Sequence, residues 1–137
     1  MDFSSITPIS SEPFKFGPLQ TKWLEALESG EYKQSQYILR DSNNEYCCLG
    51  VMCEIAGLPF DDGCYAHSGW KDSQYLPGDF YDKIGLRSSN GQFRDLARHY
   101  NTGFSSLTEM NDTLKATFKD IAAYIRHDPH NVFSHAA

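Results

Sequence analysis

The spacing of apolar positions changes along the chain, and each spacing predicts an element. Leu19, Trp23 and Leu27 recur every four residues, with Leu24 widening the stripe, as in an amphipathic helix. Gly17-Pro18 starts that helix, since proline's fixed φ and missing N–H suit the first helical position, and Gly30 supplies a left-handed stop. Phe118, Ile121, Ala122 and Ile125 predict a second clear helix, capped by Thr117 and ended by Asp128-Pro129. Ser106 and Glu109 have capping-box spacing ahead of a short turn through Leu107 and Met110. Phe93, Leu96, Ala97 and Tyr100 predict a further helix that starts near Asn90 and stops around Asn101 to Gly103. Pro77 opens a short one carrying Phe80 and Ile84, closed by Gly85.

One stretch has no polar side. From Cys47 to Ala56 only Glu54 is charged, and a helix that is apolar all round is a buried one. Gly50 lets a neighbour approach, and Gly57-Leu58-Pro59 ends the segment. A buried strand from Tyr46 to Met52 also fits the apolar run, but length and the Gly-Leu-Pro stop favour helix. Ahead of it, Tyr37-Ile38-Leu39 reads as a strand and Asp41 to Asn44 as a turn, with Glu45-Tyr46 returning as a hairpin over about 36–47. Residues 60–76 read as an irregular, aromatic-rich loop carrying Asp61-Asp62-Gly63 and Ser68-Gly69.

The expected fold is therefore α+β and mainly α: four or five short helices around the buried helix at 47–56, with one small hairpin. Residues 1–16, rich in Ser and Pro, form an N-terminal extension that Phe3, Phe14 or Phe16 pins to the body. Residues 17–128 form a single globular domain and 129–137 a C-terminal tail.

Composition narrows the function classes. Twelve Lys and Arg against 18 Asp and Glu give a net charge of −6, which disfavours direct binding of nucleic acid or an anionic membrane. No apolar run approaches the roughly 20 residues of a membrane span. The opening MDFSSITPISSEPFKFGP lacks the basic and apolar regions of a secretory signal, so the expectation is a cytoplasmic protein with reduced thiols.

Four cysteines raise the question of chemistry. Cys64-x-x-His67 has half-site spacing for zinc, but adjacent Cys47 and Cys48 on a helix diverge by about 100° and do not converge on one ion. Cys47 or Cys48 at a first helical turn is a candidate nucleophile, with His67 or His99 as base. The apolar flanks Tyr46, Leu49 and Val51 argue instead for buried thiols acting as small hydrophobes. His127, His130 and His135 read as a solvated tail with Pro129 breaking any shared helix face, and Arg98-His99 as the polar face of its helix. Asn111-Asp112, near Glu109, reads as a capping or turn-holding pair, with a carboxylate-lined ligand site as the competing view. No cofactor is expected.

Five blocks carry a family resemblance, the first three being Trp23-x-x-Ala26-Leu27-x-Ser29-Gly30-x-Tyr32-x-Gln34, then Tyr46-Cys47-Cys48-Leu49-Gly50-Val51-x-Cys53 and Gly85-Leu86. Leu107-x-x-x-Asn111-Asp112 and Phe118-x-x-Ile121-Ala122-x-x-Ile125 complete it. Over about residues 18–126 the chain resembles a group of small proteins encoded by bacteriophages, prophages and some bacteria, for which no activity is settled. The resemblance implies a phage accessory protein in the host cytoplasm, and by analogy one directed at host machinery or host defence.

The functional lead is the middle of the chain. Tyr65, Trp70 and Tyr75, interleaved with Asp61, Asp62, Asp79 and Asp82, form a candidate binding surface, since Tyr and Trp carry much of the energy at interfaces. The expected function is a non-enzymatic protein that binds and blocks a host protein through this acidic, aromatic surface. Two alternatives stand beside it: a protein that sequesters a nucleotide-like small molecule, and a thiol-dependent enzyme using Cys47 or Cys48.

Overall fold

In the computed structural model, which describes residues 1–95 and 104–137, six helices and three short strands follow one another. They are α1 (Pro18–Ser29), α2 (Cys48–Ile55), β1 (Phe60–Asp61), β2 (Cys64–His67), β3 (Trp70–Asp72), α3 (Phe80–Lys83), α4 (Leu107–Asp112), α5 (Phe118–His127) and α6 (Pro129–Val132). The architecture is α+β and mainly α, as the apolar spacing predicts. Most of the helix expected from Phe93 to Tyr100, with Arg98 and His99, lies outside the described residues.

α1 starts at Pro18 and ends on Gly30 in left-handed conformation, φ +79°. It packs on both α2 and α5, while α2 also meets α4. α2 is the dry centre: Cys48 to Cys53 are all buried. An isolated eight-residue helix is marginal in water. Burying Leu49, Val51 and Met52 contributes roughly 1.5–3 kcal/mol each, so packing decides this helix rather than propensity. The indole Nε1 of Trp23 donates to the Cys48 carbonyl at 3.0 Å and ties α1 to it. Gly50 is required at its place, because a Cβ there would lie 1.7 Å from the Leu39 carbonyl oxygen.

No side chain of its own N-cap, Cys47, caps α2. Asn111 on α4 does so instead, its Oδ1 accepting the Cys48 amide at 3.1 Å and also the Gln34 side-chain amide at 2.8 Å. The Asn111 Nδ2 donates to Ser35 O and to Asp112 Oδ1, both at 2.8 Å. Asp112 Oδ1 in turn accepts the Tyr37 amide at 2.9 Å. Contrary to the sequence reading, Asn111 and Asp112 thus neither cap the next segment nor hold the turn before it: both lie within α4, Thr117 caps α5, and the helix that Asn111 caps lies far away in sequence.

This network explains why 36–47 does not form two regular strands. The Tyr37 amide is held by α4 and the Leu39 amide donates to Ser73 O at 2.8 Å, so neither serves a ladder across the expected hairpin. What survives is a single antiparallel bridge, Arg40 to Tyr46, with Tyr37 in left-handed backbone at φ +71°.

The regular sheet lies where the sequence reads as irregular. β1, β2 and β3 form an antiparallel meander whose two turns are Asp62-Gly63 and Ser68-Gly69, all four residues at positive φ. Two-residue turns with both φ values positive match the right-handed strand twist, and Asp-Gly favours them. The registers Asp61↔Cys64 and His67↔Trp70 close the two hairpins.

The chain ends cover one side of the bundle. Phe3 is buried against Phe104 and Tyr124, and Phe14 and Phe16 pack on Phe133. Val132 and Phe133 are core residues, so the segment after Pro129 is not a solvated tail. His127 and His130 bond the carbonyls of Ile6 and Glu12, and buried Asp128 accepts the Ile9 amide at 3.0 Å. The histidines are spent on fastening the N-terminal segment to α5 and α6.

Candidate partner-binding surface

The meander separates the seven residues expected to form one surface. Tyr65 leaves the set: it is fully buried in β2, its ring 4.8 Å from that of Phe60, and its hydroxyl donates to Glu54 Oε2 at 2.6 Å. Alternation along β2 turns it inward, a direction that an assumed loop does not specify. Asp61 and Asp62 are exposed at the first turn, and Trp70 stands beside the second. Since β2 joins the two turns, these groups sit at opposite ends of the sheet. Asp72 is an internal turn-former, accepting the amides of Gln74 and Tyr75.

What remains together is a groove of about 380 Å³ lined by Ser68, Trp70, Gly78, Asp79 and Tyr81. Trp70 is the most exposed large apolar side chain among the described residues, at 67%. Its register partner is His67, and directly opposed residues share a face of the sheet, whereas Lys71 points to the other face. The indole rests on Gly78, where a Cβ would come within 2.8 Å of Trp70 Cδ1. Gly78 also has φ +56°, so both its space and its backbone call for glycine. An indole seated on backbone and carried by a two-residue turn has little freedom to fold away.

Asp79 forms one lip. It occupies the N-cap position of α3, but its carboxylate makes no cap bond there. Its side chain is 71% exposed and its Oδ1 lies 3.2 Å from His67 Nε2. Despite that distance, His67 Nε2 makes no aligned hydrogen bond. Phe80, next in sequence, is core and packs 5.3 Å from the His67 ring. Asp82 is exposed on α3 and Tyr75 is 42% exposed beyond β3. Sequence reasoning misses Ser68 and Gly78; the Pro77-Gly78-Asp79 turn signal was the available clue.

A second cleft, of about 530 Å³, opens between the 38–44 segment and the first turn of the meander. Arg40 dominates it, its guanidinium 4.4 Å from the Phe60 ring centroid. Arg40 Nε and Nη2 donate to Asn44 Oδ1, and Nη1 lies 3.5 Å from Glu54 Oε2.

The thiols are placed away from both clefts. Burial pushes the Cys47 thiol up to about 12 and those of Cys48 and Cys53 well above their usual range. A nucleophile needs the opposite shift. Cys64 and His67 are three apart on one strand and so face opposite sides of it. Among the described residues no three His, Cys, Asp or Glu side chains group as metal ligands.

The family model that matches covers residues 18–128, most of the chain. The chain belongs to the DUF8296 family. That family is described as a domain of unknown function. Neither the curated proteins nor the solved structures give a significant match. The DUF8296 match takes in α1 to α5 together with the groove, and excludes Phe3, Phe14 and Phe133, which complete the core. No helix among the described residues is long and apolar enough to cross a membrane.

Proposed function

We propose that the protein acts by binding and occupying another protein, with the Trp70 groove as the centre of contact. The carrying observation is the exposed indole resting on Gly78 beside Asp79 and Tyr81. A fixed, exposed Trp gives large contact area at small entropic cost, which is why Trp dominates the energetics of many interfaces. Asp79 lines the groove and Asp82 is exposed three residues further on, in keeping with the net charge of −6. The buried thiols support a role without covalent chemistry. The resemblance to phage proteins supports a host protein as the target, a defence component among the candidates, and the host cytoplasm as the place.

The test is affinity capture from host lysate with wild type and Trp70→Ala side by side. A stoichiometric partner held by wild type and lost by the variant, at equal thermal stability, is the expected result. A partner retained by both removes the groove from the interface.

A second reading is a small-molecule site at the Arg40 cleft, whose volume falls in the range of ligand pockets. Native mass spectrometry of the purified protein checks it: a co-purifying ligand lost in Phe60→Ala supports that site.

A further inference from the structure

We propose that the groove between Trp70 and Tyr81 receives a cationic side chain, an arginine or lysine of the partner, with Asp79 as its counter-charge. This rests on the partner-binding reading of the same surface and specifies the chemistry that it recognises.

Three observations converge on a cation. The first is Asp79 itself. Its backbone, at φ −95° and ψ 14°, lacks the extended conformation from which an N-cap carboxylate reaches the amides of the first turn. The carboxylate makes no such bond and stands exposed at the lip of the groove. Its Oδ1 faces His67, and His67 offers no aligned hydrogen bond in return.

The second is the wall material. The faces of Trp and Tyr rings carry negative charge density and attract guanidinium and ammonium groups, Trp most strongly. Trp70 and Tyr81 line one groove with Asp79. The molecule uses the same chemistry internally, where Arg40 lies over Phe60 with Glu54 as the nearby carboxylate.

The third is the surrounding charge. Asp82 adds a carboxylate on α3, Lys71 points to the opposite face of the sheet, and the whole chain is acidic. An anionic partner group would meet Asp79 unscreened. A purely apolar one would have to desolvate the carboxylate without pairing it, which is unfavourable.

The experiment follows the indole N–H signals of the full chain by NMR during titration with three capped tripeptides, acetyl-Gly-X-Gly-amide with X as Arg, Leu or Glu. The protein has two tryptophans, and Trp23, fully buried and bonded to Cys48, serves as the internal reference. The expected result is a saturable shift of Trp70 alone with the arginine peptide, about five-fold or more tighter than with the other two. Asp79→Asn should weaken it by about five-fold, and added salt should weaken it further. Equal or tighter binding of the leucine peptide, indifference to Asp79→Asn, or no saturable shift at millimolar peptide each overturns the proposal. Failure of the two ideas can be told apart. Partner capture that depends on Trp70 but not on Asp79 keeps the interface and removes the cation. A seated arginine peptide without a captured partner keeps the cation site and removes the blocking role.

Discussion

Asn111 Oδ1 accepts the backbone amide of Cys48 at 3.1 Å across 63 residues of sequence, and so caps the buried helix from another element. Asn111→Ala would leave the Cys48 amide, the Ser35 carbonyl and the Gln34 and Asp112 side chains each short of a partner. Losing a cap costs about 1 kcal/mol and an unsatisfied buried group about 1–3 kcal/mol. The expected loss is about 3 kcal/mol, seen as a lower urea midpoint at unchanged slope. A loss below about 1 kcal/mol would mean that the network does not hold α2.

The buried thiols should make stability fall in alkali. Their folded-state pKa is raised by burial, for Cys47 to about 12, above the roughly 8.5 of an exposed thiol. The folded state therefore keeps protons that the unfolded chain releases. This contribution is complete below about pH 8.5 and is lost as pH rises toward 12. Each thiol adds a slope of about 1.4 kcal/mol per pH unit within that window. Cys47→Ala should reduce the measured slope of unfolding free energy between about pH 9 and 11 by that amount. An unchanged slope would place Cys47 in water.

Thiol labelling gives a simpler readout of the same burial. Cys64 is only half-buried, whereas Cys47, Cys48 and Cys53 are enclosed. Native protein should react with a disulfide reagent at Cys64 alone, and all four cysteines should react in denaturant. Rapid native labelling of Cys47 or Cys48, located by peptide mapping, would restore the nucleophile reading.

Trp70 and Gly78 should be coupled. Trp70→Ala removes a largely exposed side chain and is expected to cost less than about 1 kcal/mol. Gly78→Ala puts a Cβ at positive φ and against the indole, for about 1–2 kcal/mol. In the Trp70→Ala background the steric part should vanish, leaving a coupling of about 0.5–1 kcal/mol in a double-mutant cycle. Strict additivity would show that the indole does not rest on Gly78.

Phe133 lies beyond the family match yet is buried against Phe14, Phe16 and Trp23. Phe133→Ala should cost about 3–4 kcal/mol, measured by denaturation. Deleting residues 1–16 should expose the same ring and lower the melting temperature by several degrees, about 4 °C per kcal/mol for this size. A truncated chain as stable as the full one would make the N-terminal segment a passenger.

Much of the fold is legible in the sequence because its signals are local. Pro18 and Gly30 bound α1, Thr117 caps α5, and the all-round apolar run marks α2 as buried; each depends on a few neighbouring residues. The meander at 60–72 also had local signals, in Asp62-Gly63 and Ser68-Gly69, but its strands are two to four residues long and give little period to read. What tertiary structure alone decides is where long-range partners fall. Asp112 takes the Tyr37 amide and Ser73 the Leu39 amide, so the expected hairpin at 36–47 shrinks to the Arg40–Tyr46 bridge. Tyr65 and Trp70 share one face of the meander, but packing covers Tyr65 with the core and leaves Trp70, beside the second turn and against Gly78, in water, which turns a list of seven candidates into one groove. The physical reason is that periodicity and capping act within one or two turns of chain. Burial and hydrogen-bond partners far apart in sequence exist only after the elements have packed.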